Sequence, residues 1–392
     1  MSHILDSISF GAIVAVRDRL LDQQAKGRKI YRLESGDPSF DVPAHVREAM
    51  NTALSKGQTH YTASTGIQPL RDAIVTKVRR DNALPIDNAE QVVVTNGGMH
   101  ALYLIFRSLL DAGDEVIIPD PMWTEIAENI KLAEGVAVRC PLDVQHGMAY
   151  TAAAIEKHIT PKTKAIFLNT PQNPTGAVIP VEELKNIVAV AQQHNLRIIS
   201  DEAYEHVIFD GLKHVSIGSL PGAEERTITL FSMSKSYAMS GLRIGYIASR
   251  DADFLERVKK LLRCTTNGVN SVAQWGAAAA LSGPQEATRA MGAEYQVRRD
   301  VLLNGLKGIK LFHPFVPQGT FFMWVRIDPS WEGYKGAKDD WAMTNFLIDQ
   351  GAVGSSPGTA FGPAGEGCIR LAYSCDRPQL EQAVQVIRGL LA

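Results

Sequence analysis

The middle of the chain alternates short β-branched runs with stretches long enough for a helix, and no other feature narrows the fold so far. The runs are Gln91 to Thr95, Glu115 to Pro119, Ala165 to Asn169, Leu196 to Ser200, Ile228 to Phe231 and Ile244 to Ala248. Runs of this kind joined by helix-length connections predict parallel strands with crossover helices, an α/β fold with a mostly parallel sheet in its large domain. Such a sheet collects its functional residues beyond the carboxyl ends of its strands. Asn169, Asp201 and Phe231 stand at or beside such ends, so the sequence predicts that they converge on one edge.

Helical periodicity marks Val14 to Lys26, Val46 to Lys56, Leu70 to Asn82, Val181 to His194 and Tyr295 to Leu306. From about Pro284 the pattern changes to a long helix and then to strand-like segments, Gly319 to Ile327 and Cys368 to Ala372. Between these two segments, Gly354 to Gly367 is rich in Gly, Pro and Ser and reads as a loop that brings the chain to Arg370. A chain of 392 residues suits a large domain with a smaller one. The expected division is a large cofactor-binding domain over 46–283, a small α/β domain over 11–45 and 284–392, and an N-terminal arm over 1–10.

Several function classes drop out. A formal net charge of −2 with both signs interspersed leaves no footprint for nucleic acid or an anionic membrane. No window approaches the roughly 20 apolar residues of a membrane span, and Met1 to Phe10 lacks the features of a signal peptide. Cys140, Cys264, Cys368 and Cys375 form no C-x-x-C pair, which argues against a zinc site or a disulfide framework and for a reducing compartment. A cytoplasmic enzyme is expected.

Asp201 ends one apolar run, Lys235 lies in Phe231-Ser232-Met233-Ser234-Lys235-Ser236, and Arg243 closes that segment. An acid, an amine and a guanidinium at strand edges are what a pyridine ring bearing an aldehyde and a phosphate requires. Such a ring acts as an electron sink only while its nitrogen stays protonated, the task of a buried carboxylate. The aldehyde needs a lysine that can form a Schiff base and later serve as a general base. The phosphate calls for hydroxyls, a guanidinium and a helix N-terminus, which Ser232, Ser234, Arg243 and the turn Gly97-Gly98-Met99 can supply. The implied cofactor is pyridoxal 5'-phosphate. Two competing patterns lack their companions. Ser232-Met233-Ser234-Lys235 matches the S-x-x-K of serine-acylating enzymes, but S-D-N and K-T-G are missing, Ser200-Asp201-Glu202 being the nearest approach. Glu202 and His206 have helical spacing, but no H-E-x-x-H pattern accompanies them, and no metal is expected.

The chain resembles the class I pyridoxal-phosphate aminotransferases of fold type I, especially the bacterial branch similar to aspartate aminotransferases. The resemblance spans almost the whole length and rests on motifs in the family's order. They are Gly36-Asp37-Pro38, Tyr61 with Gly66, Asn96-Gly97-Gly98, Pro121-Met122-Trp123, Asn173-Pro174-Thr175-Gly176, Asp201-Glu202-Ala203-Tyr204, Ser232 to Lys235, Gly241-Leu242-Arg243-Ile244-Gly245 and Arg370. It implies that Lys235 is the Schiff-base lysine and Asp201 the partner of the pyridine nitrogen. Asn173 and Tyr204 would bond the phenolic oxygen, and Trp123 would stack on the ring. Gly98 and Met99 would offer backbone N–H groups to the phosphate beside Ser232 and Arg243. Tyr61 would reach the phosphate from a neighbouring subunit, which makes a homodimer with shared sites the expected assembly. Arg370 would hold the substrate's α-carboxylate, with the Gly36 backbone alongside, and a cis bond is implied before Pro174.

The implied activity is transfer of an amino group from an L-amino acid to a 2-oxo acid by ping-pong chemistry. One departure bears on substrate. Family members that favour aspartate carry a lysine where this chain has Met99, which reads equally as a packing residue and as a specificity residue. The expectation is a pocket for neutral or aromatic side chains with a dicarboxylate tolerated as second partner; Arg263 is the candidate substitute for the lysine. A C–S β-lyase would share every cofactor residue. A non-enzymatic amino-acid sensor on this fold would add a DNA-binding domain, for which little room is expected here.

Overall fold

The computed structural model describes residues 3–391; Met1 and Ser2 of the expected arm and Ala392 of the expected small domain lie outside the described residues. Seven strands form the larger sheet: β1 Val92–Thr95, β2 Glu115–Asp120, β3 Val136–Pro141, β4 Thr163–Asn169, β5 Arg197–Asp201, β6 Thr227–Ser232 and β7 Gly245–Ser249. Their order across the sheet is β1-β7-β6-β5-β4-β2-β3. The pairs from β3 through β6 are parallel, whereas β7 runs antiparallel to both β6 and β1. The expected mostly parallel sheet is thus present, with the run Ile244 to Ala248 as its antiparallel member. β-Branched composition identifies a strand but says nothing of its direction, and here the connection from β6 holds only the four-residue helix Met233–Ser236 and a 3-10 turn at Ser240–Leu242.

The sheet is buried on both faces, which explains the unbroken apolar runs. Residues alternate between faces. Val93, Ile118, Phe167, Ile199 and Leu230 pack with the helices Gly97–Leu109, Thr124–Leu132 and Ala252–Thr265. On the other face, Ile117, Ile166 and Ile198 meet the helix Val181–Gln193, and Val92, Val94, Phe231 and Tyr246 meet the helices Ala44–Ser55, Gln68–Asn82 and Ser271–Ser282.

A second, antiparallel sheet is built from β8 Phe312–Pro314, β9 Phe322–Ile327, β10 Ser356–Pro357 and β11 Cys368–Ala372, in the order β10-β11-β9-β8. The expected loop at 354–367 thus contains one short strand, which pairs with β11 at Ser356↔Arg370. The chain's beginning joins this sheet rather than the larger one. Val16, Leu20 and Ile30 pack on Ile348 and Ala352, and the Leu33 carbonyl accepts the Ala372 N–H. The carboxyl ends of β4, β5 and β6 all face the seam where residues 33–37 and β11 come together. Because β7 is reversed, it begins at that same edge, with Gly245 opposite Ser232 on one side and Thr95 on the other.

Candidate active site

A cleft of about 480 Å³ opens at this edge. Gly36, Gly98, Met99, Trp123, Asn173, Asp201, Tyr204, Ser232, Ser234, Lys235, Arg243 and Arg370 all line it, as the sequence predicts. Tyr61 does not; it is 92% exposed on its own chain. Arg263 is exposed on the helix Ala252–Thr265 and takes no part in the lining, so it does not stand in for a lysine at Met99 within this chain.

The phosphate-sized end is built mostly from backbone. The helix Gly97–Leu109 starts without a side-chain cap from Asn96, so its first N–H groups are free. Gly97 has φ +79° and would drive a Cβ to 2.5 Å from the Arg243 guanidinium, and a Cβ on Gly245 would come within 2.8 Å of the Gly97 carbonyl carbon. No other residue fits where these segments converge. Arg243 itself sits in the left-handed region at φ 57° and donates to the Ser240 carbonyl at 2.8 Å. The reversal of β7 is what brings it here.

Asp201 ends β5 and is 5% exposed. Burial pushes its carboxyl up to about 7, although the Ala203 N–H donates to Oδ1 at 3.1 Å. Lys235 opens on the cleft yet is closely packed around. Burial lowers its ammonium to about 8, with Asp37 pulling upward and Arg370 and Arg243 pushing down. Its Nζ donates to the Gly36 carbonyl at 2.6 Å. Tyr204 packs edge-on to Phe321 and Phe322, and burial raises its phenol far above the ordinary value.

Arg370 is 2% exposed, and burial lowers even its guanidinium to about 10. It donates to Asn173 Oδ1 at 3.0 Å, the Glu34 carbonyl at 2.9 Å and Ser356 Oγ at 3.2 Å, while Nε has no partner. The Phe322 ring lies 4.0 Å from its centre. Asn173 follows a cis Thr170–Pro171 bond and precedes a cis Asn173–Pro174 bond. Its N–H donates to Asn169 Oδ1, whose amide in turn donates to the Asp201 carbonyl at 3.1 Å. Asn169, noted in the sequence only as a strand end, is therefore the tie between two site segments.

Several lining residues have no motif to announce them, among them Ile13, Val14, Arg32, Glu34 and Glu125. Val14 opens the helical segment legible at Val14 to Lys26, with Ile13 just before it, and an acid two positions past Trp123 is the one signal that marks Glu125.

The donor set fits pyridoxal phosphate. Free helix N–H groups, two serines and Arg243 lie at one end, an acid without a cationic partner lies at the other, and the amine stands between them. The comparisons agree. The family model "Aminotransferase class I and II" matches residues 28–387. The aspartate aminotransferase of Geobacillus stearothermophilus is 36% identical over 386 residues, covering 98% of this chain and 97% of that protein. The aromatic-amino-acid aminotransferase 2 of Thermococcus litoralis is 35% identical over 365 residues, 92% of each chain. The solved aspartate aminotransferase of Rhizobium meliloti matches with a TM-score of 0.95 at 30% identity, over 100% of this chain and 98% of that one. Fold, cleft chemistry and these matches lead to one family: the chain belongs to the class I and II aminotransferases, as a pyridoxal-phosphate-dependent aminotransferase of fold type I.

Proposed function

We propose that Lys235, Asp201 and Arg370 carry the transfer of an α-amino group from an L-amino acid to a 2-oxo acid, in a site completed by Tyr61 of a second copy. The observation that supports this most is one amine, one acid and one guanidinium gathered in a single cleft, each shifted by burial toward its neutral form.

When bound, pyridoxal phosphate supplies an aldehyde for the amino group and a protonated ring that draws electrons from the α-carbon. Asp201 holds the proton on the ring nitrogen, since a carboxyl raised by burial ionises again beside a cation. Lys235 Nζ is the attachment point for the aldehyde. As a free amine, lowered by burial to about 8, it would take the proton from the substrate's α-carbon and return it. Asn173 and Tyr204 serve the phenolic oxygen, and Trp123 covers the ring. The Gly98 and Met99 N–H groups, Ser232, Ser234 and Arg243 receive the phosphate. Arg370 receives the substrate's α-carboxylate in a bidentate fork, with Gly36 beside it.

The same reading divides the chain into a large domain over 46–283 and a small one over 11–45 and 284–392, with 1–10 as an arm. It is supported by the packing of Val16 and Leu20 on Ile348 and Ala352. It also places the enzyme in the cytoplasm as a homodimer; the buried free thiols of Cys140, Cys368 and Cys375 suit a reducing setting. Among the described residues no helix is long and apolar enough to cross a membrane.

The test is a visible spectrum of the holoenzyme as L-amino acids are added without any oxo acid. The cofactor's absorption should bleach, and a 2-oxo acid should restore it. Oxo acid and ammonia accumulating without an acceptor would identify a β-eliminating lyase instead. For the shared site, Lys235→Ala and Tyr61→Ala subunits refolded together should regain activity that neither has alone; a monomer at working concentration would overturn that part.

A further inference from the structure

Met99, Leu102, Ile13 and Val14 give the cleft an apolar wall, and one carboxylate interrupts it. Glu125 is the second residue of the helix Thr124–Leu132. An acid in a first helical turn ordinarily complements the helix dipole from the solvent side. Glu125 instead has Oε2 buried without any hydrogen-bond partner. The chain's beginning lies over it, close enough that a Cβ on Gly11 would stand 3.4 Å from Oε1. Burial pushes the carboxyl's pKa upward, with Glu128 acting the same way, against its own backbone N–H, the charge of Arg370 and the Trp123 indole, which leave Oε2 unpartnered. Leaving a buried acceptor unpaired is costly, so a group kept in this state beside a substrate cleft invites a ligand.

Among the described residues, the arginines that line the cleft on this side are already engaged. Arg32 is paired with Glu34 at 2.8 Å and Arg17 with Asp18 at 3.1 Å. Arg370 turns both terminal nitrogens to Asn173 Oδ1, the Glu34 carbonyl and Ser356 Oγ, and its unpartnered Nε makes no bond to Glu125. Asn129 fixes the wall, donating to the Glu125 carbonyl at 2.8 Å and to Met99 Sδ at 3.3 Å.

Resting on the reading that Arg370 takes the α-carboxylate, we propose that Glu125 is a specificity-determining residue that receives the far end of the substrate side chain and selects amino acids ending in a cationic hydrogen-bond donor, an ammonium or a guanidinium. The incoming cation supplies the partner that Oε2 lacks. A distal carboxylate meets a like charge there and finds apolar Met99 next to it.

The experiment compares kcat/KM of wild-type holoenzyme and Glu125→Gln for L-ornithine against L-norvaline and L-lysine against L-norleucine, with L-aspartate as the acidic probe and one fixed 2-oxo acid. The cationic member of each pair should lead its alkyl counterpart by at least about tenfold in the wild type, and the substitution should erase that lead while the alkyl substrates stay within about threefold. Calorimetry of 5-aminopentanoate against pentanoate reads the same contact without turnover, and only the first should weaken in Glu125→Gln. The proposal is overturned by an unchanged preference, by a wild-type preference for aspartate over norvaline, or by equal weakening of every substrate, which would make Glu125 a mere support for Arg370. Loss of amino transfer from all amino acids in the wild type would instead strike the underlying reading, and the calorimetric pair would still judge Glu125.

Discussion

Two groups of buried charge meet at the end of β5, one reached through Asp201 and one through the next residue, Glu202. In the cleft, Asp201, Lys235, Glu125 and Arg370 each lack a full complement of partners. Behind them, Glu202 accepts from Ser200 at 2.9 Å, from His214 at 2.8 Å and from Ser216, and Asn82 donates to Glu205 at 2.8 Å. Lys77, fully buried, pairs with Glu205 at 2.5 Å and lies over the Phe231 ring. Glu202, Glu205 and His214 come within 4.8 Å of one another, the spacing of a metal site, but the Lys77 ammonium already bonds Glu205 there. Equal burial has opposite outcomes: Asp201 is pushed up to about 7, whereas for Glu205 burial is outweighed by Lys77, His206 and His214, which hold it down to about 2. Satisfied charges hold the strand end in place, and unsatisfied ones are left for the reaction.

The sharpest way to break this contrast is Lys235→Ala. Turnover should fall by at least about 10⁴-fold, with the unfolding midpoint of the cofactor-free protein unchanged or higher. Lys77→Met should do the reverse, costing about 3–5 kcal/mol of stability because it strands Glu205, with kcat of the folded enzyme little changed; a loss of turnover matching that of Lys235→Ala would merge the two groups. Arg370→Lys keeps the charge but loses the fork, so KM for amino acids and oxo acids should rise by about tenfold or more, ahead of any change in kcat. Amines lacking a carboxylate should be indifferent to it.

The smallest effect carries the clearest sign. Glu205 is depressed below its ordinary 4.5, so its contribution to stability is complete above that pH and drains away as pH falls toward about 2. Asp201 is raised above its ordinary 3.8, so the folded protein without cofactor loses stability as pH climbs from there through about 7. Unfolding midpoints of the cofactor-free protein across this range should therefore drop at both ends, and Asp201→Asn should flatten only the upper limb. A flat upper limb in the wild type would mean that Asp201 is paired after all.

The strands rich in β-branched residues were legible because both faces of the larger sheet are buried. Val136–Pro141 was not, since this edge strand leaves most of its residues partly or wholly exposed. The direction of β7 was hidden as well, because it depends on how the short connection after Lys235 turns. In the site, residues whose chemistry the cofactor dictates stood out by type and order. Glu125 and Glu34 did not, because an acid on a helix or loop looks solvated until the packing of a distant segment, here residues 11–14 or Gly354, covers it. Tyr61 shows the converse: a residue plain in the sequence whose expected target lies beyond its own chain.

The bond between Arg370 and the Glu34 carbonyl spans 336 positions. Synthesis runs from the amino end, so Ile13, Val14 and Glu34 leave the ribosome well before Arg370 does. The larger sheet is complete once Ser249 has emerged. The helices Ala252–Thr265 and Ser271–Ser282, which cover parts of its two faces, follow at once. On the proposed roles, a nascent chain presents the segment that would cradle a phosphate, at Gly97 and Arg243, before it presents the arginine that would receive a carboxylate, and the cleft stays open on that side until Arg370 has emerged.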